Sequence, residues 1–361
     1  MKIAFLGDIA LFGNCSKSGN SNILHYFQEI ADLLGTFDYV VGNLETPFSK
    51  KKEKNGAKSA YICSDPDNIE LLSFLHINAV TLANNHIFDY GKEGFSLTKK
   101  LLENVGIEYF GVDGKEHKLE KDGNKICFTG YCCYSTNPLN TVPYGEDGVN
   151  EFNVAKVLDN MRANEKAGYL NVLAVHAGKE HVNYPSNDSV LVAHKFAKVM
   201  PYLYYGSHPH VAQGIEQVDG SLIAYSLGNF CFDDVYSSVS SSPLVELSAN
   251  NRSSFVLEVE IINNRIRSYH LIPIYIGKDK IHVGRGTSEN DMKRYTDPIL
   301  SMPSEEYEEM RNKAILNYYG KRVSQRNIMW YLRRLRPRYF KLFFSNKENI
   351  KKYNQCVKAY L

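Results

Sequence analysis

Through about residue 275, short β-branched or aromatic runs alternate with helical patterns, and that alternation admits few folds. KIAFLGD opens the series, followed by a helical stretch from Asn22 to Leu34 and the strand DYVVGN. Pro66–Leu75 reads as a helix, NAVTLAN as a strand, and Lys92–Asn104 as a helix before IEYFG. After a loop-rich passage come ICFTGYC, a helix near Asn153–Lys166, the strand YLNVLAVH, a helix near Val190–Met200 and the strand YLYYGSH. The pattern then turns antiparallel: VAQGIEQV and SLIAYSLG around Asp219-Gly220, FVLEVEII and RIRSYHLIPIY around Asn263-Asn264. Strands and helices in alternation, closed by hairpins, predict a layered α/β domain with mixed sheets covered by helices.

The chain's 361 residues suffice for one large α/β domain with an appendage. No run of about 18 apolar residues occurs, which excludes a helical membrane span. MKIAFLGDIALFG has the look of a leader, but Asp8 interrupts its apolar run and no small-residue cleavage site follows, so it reads as a buried first strand. Seven cysteines form no C-x-x-C pair, which suits a reduced, cytoplasmic protein better than a disulfide framework or a thiolate zinc site. The net charge of +2 hides an asymmetry, because residues 321–361 carry 12 Lys/Arg against the single acid Glu348. From Pro303 the pattern is helical and aromatic-basic, with Glu305–Tyr319, Gln325–Leu335 and Asn346–Tyr360 as helices and a break at Pro337. Residues 1–275 and 276–361 are accordingly read as two parts. The lysine-rich loop Phe48–Ser59 reads as a mobile excursion.

Residues able to hold metal fall at the C-terminal ends of the strands, where open α/β sheets place their sites. Asp8 ends the first, Asn43 and Glu45 the second, and Asn84, Asn85 and His86 the third. His176 ends LNVLAVH, and His208 and His210 follow YLYYG. Singly, a Gly-Asp turn, an Asn-Asn loop or a His-Pro-His surface turn is ordinary; five such strand ends together are not. Oxygen and imidazole ligands without thiolate suit Mn, Fe or Zn, and a set of this size suits two ions. For His208 and His210 to converge a turn is needed, which Pro209 and Gly206 are placed to supply. His25, His117, His194, His270 and His282 lie outside the pattern, and His181 is left open between a cleft and a structural role.

Six passages in order carry a resemblance: GD at Gly7-Asp8, GNLE at Gly42–Glu45, LANNHIFDYGKEGF at Leu82–Phe95, HAGKEHVNYPS at His176–Ser186, GSHPHVAQGIE at Gly206–Glu216 and YSLGNFCFD at Tyr225–Asp233. The sequence resembles the CapA family of capsule and poly-γ-glutamate biosynthesis proteins, a branch of the calcineurin-like metallophosphoesterases. The resemblance implies a four-layer α/β/β/α sandwich, here with a C-terminal helical extension, and a dinuclear metal centre between the sheets. Carried onto this sequence, it makes Asp8 and Glu45 the carboxylate ligands, with Glu45 bridging, and Asn85, His176, His208 and His210 the rest of the metal shell. His86 becomes the general acid and Asp89 the group that orients it.

The chain also departs from those enzymes. Asp8 is followed by Ile9 and Ala10 where ordinary metallophosphoesterases have Asp-x-His, so one of the two divalent ions loses an imidazole and that site is the weaker. Ala177 stands where the family usually has tryptophan, and His181 where tyrosine is usual, which alters the substrate surface. The expected function is a metal-dependent, phosphoesterase-like hydrolase acting on an anionic cell-surface polymer or phosphoester. The competing expectation is a non-catalytic, polymer-binding accessory subunit of a capsule synthesis complex. In RNIMWYLRRLRPRYFKLFF, aromatic residues interleave with Arg and Lys, which suits docking on an anionic membrane surface or a membrane-bound synthase, at the inner face of the membrane. A helical cap on the main domain is the alternative. No specific nucleic-acid motif is present.

Overall fold

A computed structural model describes residues 1–51, 54, 58, 60–137, 141–236, 243–324 and 337–361, with the backbone alone at 321–324 and 337–343. In chain order, β1 (Lys2–Ile9), α1 (Ile23–Leu34), β2 (Tyr39–Leu44), α2 (Ile69–Phe74), β3 (Ala79–Thr81), α3 (Gly91–Asn104) and β4 (Glu108–Phe110) form the first run. A second comprises β5 (His117–Lys121), β6 (Asn124–Cys132), α4 (Val154–Lys166), β7 (Leu170–His176), α5 (Asn187–Ala197), β8 (Tyr202–Ser207), β9 (Ile215–Val218) and β10 (Ser221–Ala224). Then follow β11 (Asn229–Cys231), β12 (Val235–Tyr236), β13 (Pro243–Val245), α6 (Ala249–Arg252), β14 (Ser253–Ile262), β15 (Arg265–Ile276) and β16 (Ile281–Val283). The helices α7 (Glu289–Ser301), α8 (Ser304–Ser324) and α9 (Pro337–Cys356) close the chain.

The strands assemble into two large sheets. One has the order β16-β15-β14-β1-β2-β3-β4 with β11 beside β1, the other β5-β6-β7-β8-β10-β9. Pairing is parallel from β1 to β4 and from β6 to β8, the geometry that helical crossovers impose. The sheets pack face to face through Phe5, Val41 and Phe110 on one side and Phe128, Leu203 and Tyr205 on the other. Phe5 and Tyr205 bring their ring centroids to 5.1 Å. Helix α1 presents Ile23, Tyr26, Phe27, Ile30 and Leu34, a stripe of helical period, to the outer face of the first sheet. Helices α4 and α5 cover the second sheet through Val157, Met161, Val192 and Phe196. The result is the layered α/β domain that the alternation predicts, in the four-layer α/β/β/α form that the resemblance implies.

Both tight hairpins form where the Asp-Gly and Asn-Asn pairs stand, with positive φ at Asp219, Gly220, Asn263 and Asn264 as two-residue turns of the primed type require. Beyond residue 275 the first sheet continues into β16. Helix α7 escapes the sequence reading; a Ser288/Asp291 capping box starts it, and Pro298 sits inside it. The last helix begins at Pro337 rather than Asn346, because proline is tolerated in a first turn where its missing N–H has no partner to lose. Its far end is a cap: Cys356 and Val357 belong to the core of the second sheet and Tyr353 packs against it. The expected helix at 325–335 and most of the aromatic-basic stretch lie outside the described residues, as does much of the lysine-rich loop. Among the described residues no helix is long and apolar enough to cross a membrane.

Candidate metal centre

The C-terminal ends of β1, β2, β7 and β8 meet between the sheets, and the close approach of β1 to β11 fixes their spacing. A Cβ on Gly7 would lie 1.9 Å from the Gly228 carbonyl oxygen, so only glycine fits there. The next residues, Asp8 and Asn229, pair in parallel register. Asp8 is fully buried; its Oδ1 accepts from Asn43 Nδ2 at 2.8 Å and its Oδ2 from the His208 backbone N–H at 3.3 Å. Asn43 in turn meets Asn84, whose amide donates to Asn43 Oδ1 at 3.2 Å and to the Leu44 carbonyl at 2.8 Å. This ladder of amides ties β1, β2 and the loop after β3 to one another before any ligand arrives.

All six expected ligands fall within one buried cluster. His210 sets Nδ1 3.1 Å from Asp8 Oδ2 and 2.9 Å from Asn229 Oδ1, while Nε2 faces Glu45 Oε1 at 3.8 Å. His176 lies 2.9 Å from Asn85 Oδ1 and 3.9 Å from Glu45 Oε1 through Nε2, with Nδ1 on Ser207 Oγ at 2.9 Å. His208 places its ring 4.8 Å from that of His176 and 6.1 Å from that of His210. The turn that lets His208 and His210 converge comes from the histidines themselves, with φ of 94° and 56°, and not from Gly206, which sits inside β8. Histidine is among the residues that tolerate this region, at a cost.

The donor set fits a divalent cation on its own chemistry. Glu45 is fully buried, and among the described residues neither of its carboxylate oxygens has a hydrogen-bond partner; nor does His208 Nδ1. A buried carboxylate left so is expensive unless a cation faces it. Glu45, His208 and His210 bring one ligand atom each within 4.8 Å of one another. Burial, reinforced by Asp8, pushes the Glu45 carboxyl well above the ordinary range. Burial also depresses His176 and, to about 4, His208. It works against the charged form of His210 too, yet the carboxylates of Glu45 and Asp8 prevail and hold that group at about 10.

Beside this cluster, His86 Nδ1 sits 2.6 Å from Asp89 Oδ2, and Asp89 Oδ1 takes Lys58 Nζ at 2.5 Å. Lys58 also donates to the Asn85 carbonyl. Burial lowers the pKa of His86, against the pull of Asp89. Lys58, Asn85, His208, Lys179 and Glu180 line a cleft of about 280 Å³ that Tyr319 of α8 helps to wall. Glu180 is brought down to about 2: partial burial raises it, but His208 and His210 outweigh that. Sequence reasoning gave no role to Lys58, Asn229 or Ser207. Asn229 opens β11 inside a quoted motif, but only the pairing of β11 with β1 gives it a role; Lys58 is one of five lysines in a loop, with nothing local to single it out. His181 hydrogen-bonds Asn251 at 2.8 Å and stacks on Tyr318 with centroids 4.7 Å apart.

Comparison with known proteins adds four findings. Residues 2–234 match the family model described as bacterial capsule synthesis protein PGA_cap. The capsule biosynthesis protein CapA of Bacillus anthracis is 25% identical over 307 residues, spanning 81% of this chain and 74% of that protein. The PGA biosynthesis protein CapA of Bacillus subtilis is 27% identical over 275 residues, 73% of this chain and 71% of its own length. Among solved structures, the NAD nucleotidase of Haemophilus influenzae superposes with a TM-score of 0.46 at 16% identity, over 89% of this chain and 60% of that one.

Proposed function

This chain belongs to the PGA_cap family of bacterial capsule synthesis proteins, and from that premise we propose that it is a metal-dependent hydrolase acting on an anionic polymer of the cell surface. The observation that carries the reading is Glu45, a buried carboxylate with no hydrogen-bond partner among the described residues, faced by the Nε2 atoms of His176 and His210. Asp8, Glu45, Asn85, His176, His208 and His210 would hold up to two divalent ions. Such ions would polarise a phosphoryl or carbonyl oxygen and generate a nucleophile at neutral pH.

The chain's own residues do the rest. Asp8 and Asn229 fix the His210 ring by its Nδ1, which leaves Nε2 directed at Glu45. Asp89 holds Nδ1 of His86, so the proton that His86 can give to a leaving oxygen sits on Nε2. Lys58 neutralises Asp89, and with Lys179 it gives the cleft a cationic border suited to an anionic substrate. Ile9 and Ala10 in place of an imidazole favour a second reading, in which the centre binds one ion and only positions the polymer for a partner synthase.

Two measurements test the proposal. Elemental analysis of protein purified without chelator should find divalent metal that a His208→Ala, His210→Ala double variant loses. With Mn²⁺, Fe²⁺ or Zn²⁺ supplied, the wild type should cleave an activated phosphodiester or the native polymer. Metal without turnover on any ester or amide would leave the positioning subunit as the reading. The basic-aromatic segment at 321–361 is proposed to add a membrane contact, for which sedimentation with anionic liposomes, abolished by salt, is the check.

A further inference from the structure

The loop after β7 turns at Ala177-Gly178, and against it lies a recess of about 260 Å³. Ser135, Gly178 and Lys179 line both this recess and the cleft beside the metal centre, so the two adjoin across a shared rim. The small side chain at 177 leaves this space open. Phe152, Val192, Tyr204 and Val357 give it an apolar lining. Lys179 and Arg311 border it, and among the described residues no carboxylate lines it.

Arg311 is 8% exposed and rigidly held: Nε donates to the Tyr184 carbonyl at 3.2 Å and Nη1 to Glu308 at 3.4 Å. Its Nη2 makes no hydrogen bond to a described residue. Of the nearby acids, Glu308 takes only the Nη1 corner of Arg311, and Asp188 accepts from the Tyr353 hydroxyl at 2.8 Å. A guanidinium held by its Nε and Nη1 at the wall of a recess that carries no lining acid among the described residues is a preorganised partner for a carboxylate. At about 260 Å³ the recess has room for a body the size of a benzoate ion.

We propose that this recess is a substrate subsite that takes a carboxylate carried on a compact apolar body, with Arg311 as the anion-recognising residue. Only its role beside a scissile linkage rests on the hydrolase reading; the binding does not. Arg311, Tyr353 and Val357 come from α8 and from the end of the chain, beyond the span matched by the family, so the selectivity belongs to this chain's C-terminal helices.

Titration of the full-length protein with benzoate, followed by saturation-transfer NMR, tests the assignment, with benzamide as the uncharged match. Benzamide should bind at least ten-fold more weakly, as should benzoate to Arg311→Gln, the size of effect a charge-assisted hydrogen bond gives. Ala177→Trp should fill the recess and abolish binding; it keeps the test decisive if Arg311→Gln does not fold. Chelation of metal should change the benzoate Kd by less than two-fold. Equal binding of benzamide, no effect of Ala177→Trp, or loss of binding on chelation would each overturn the proposal. Benzoate binding in a protein that never turns over substrate removes the hydrolase reading and leaves the subsite standing.

Discussion

His210 gives its Nδ1 to Asp8 Oδ2 at 3.1 Å and turns its Nε2 toward Glu45. The pair sets the ring's orientation and also its charge, because Glu45 and Asp8 together hold the imidazole protonated to about pH 10 against the cost of burial. The folded-state value is therefore raised above the ordinary 6.5. This group's contribution to the stability of the metal-free chain is complete below pH 6.5 and lost as pH rises through 10.

Metal must displace that proton. Between pH 6.5 and 9, affinity for Zn²⁺ or Mn²⁺ should climb by up to ten-fold per pH unit, with about one proton released per ion at the His210 site. Calorimetry in buffers of different ionisation enthalpy reads both quantities. A pH-independent affinity would contradict the assignment of His210 as a ligand.

Glu45→Gln separates ligation from folding. Added metal should raise the melting temperature of the wild type and leave that of the variant unchanged. Thermal scans with and without chelator make the comparison.

His86→Ala should keep its metals and lose about 10²–10⁴-fold in kcat, the scale of a positioned proton donor. Asp89→Asn keeps the shape but removes the charge that steadies both His86 and Lys58, and its loss should be smaller. Equal metal content across the three proteins is the control, and a drop in metal for His86→Ala would make it a ligand instead.

Glu151 fastens α9 to the body, accepting from Tyr134 at 2.7 Å, Lys156 at 2.9 Å and Cys356 at 3.4 Å. Partial burial raises its pKa, but these donors bring it below the ordinary 4.5. Its contribution is present above pH 4.5 and lost as pH falls through the lowered value. Hydrogen-exchange protection at Asn349–Val357 should fall between pH 6 and 3.5 in the wild type. In Glu151→Gln it should be lower at pH 6 and change little on acidification.

Gly7→Ala should cost about 3 kcal/mol in urea unfolding, because backbone on both sides prevents relief of a 1.9 Å contact. The variant should also take up metal more weakly, because β11 carries Asn229 against His210.

Much of this was legible because strands and helices declare themselves over short windows, and because Asp8, Glu45, Asn85, His176, His208 and His210 each end a strand or follow one. Asn229 was not, since its value comes from β11 lying beside β1, a pairing between distant parts of the chain that no local period encodes. Lys58 went unrecognised for a similar reason: its partners Asn85 and Asp89 belong to the next motif. Arg311 acquires meaning only when α8 lies along the loop at Tyr184 and Pro185.

The left-handed backbone at His208 and His210 carries a liability for anyone breeding a hardier version of this protein. Each such residue stores about 1–3 kcal/mol, and glycine would release it at once. A selection scored on heat resistance alone would thus favour His208→Gly and His210→Gly, trading the candidate metal centre for a calmer turn. Libraries drawn on this scaffold need those two codons locked, or a screen that reads metal content beside survival.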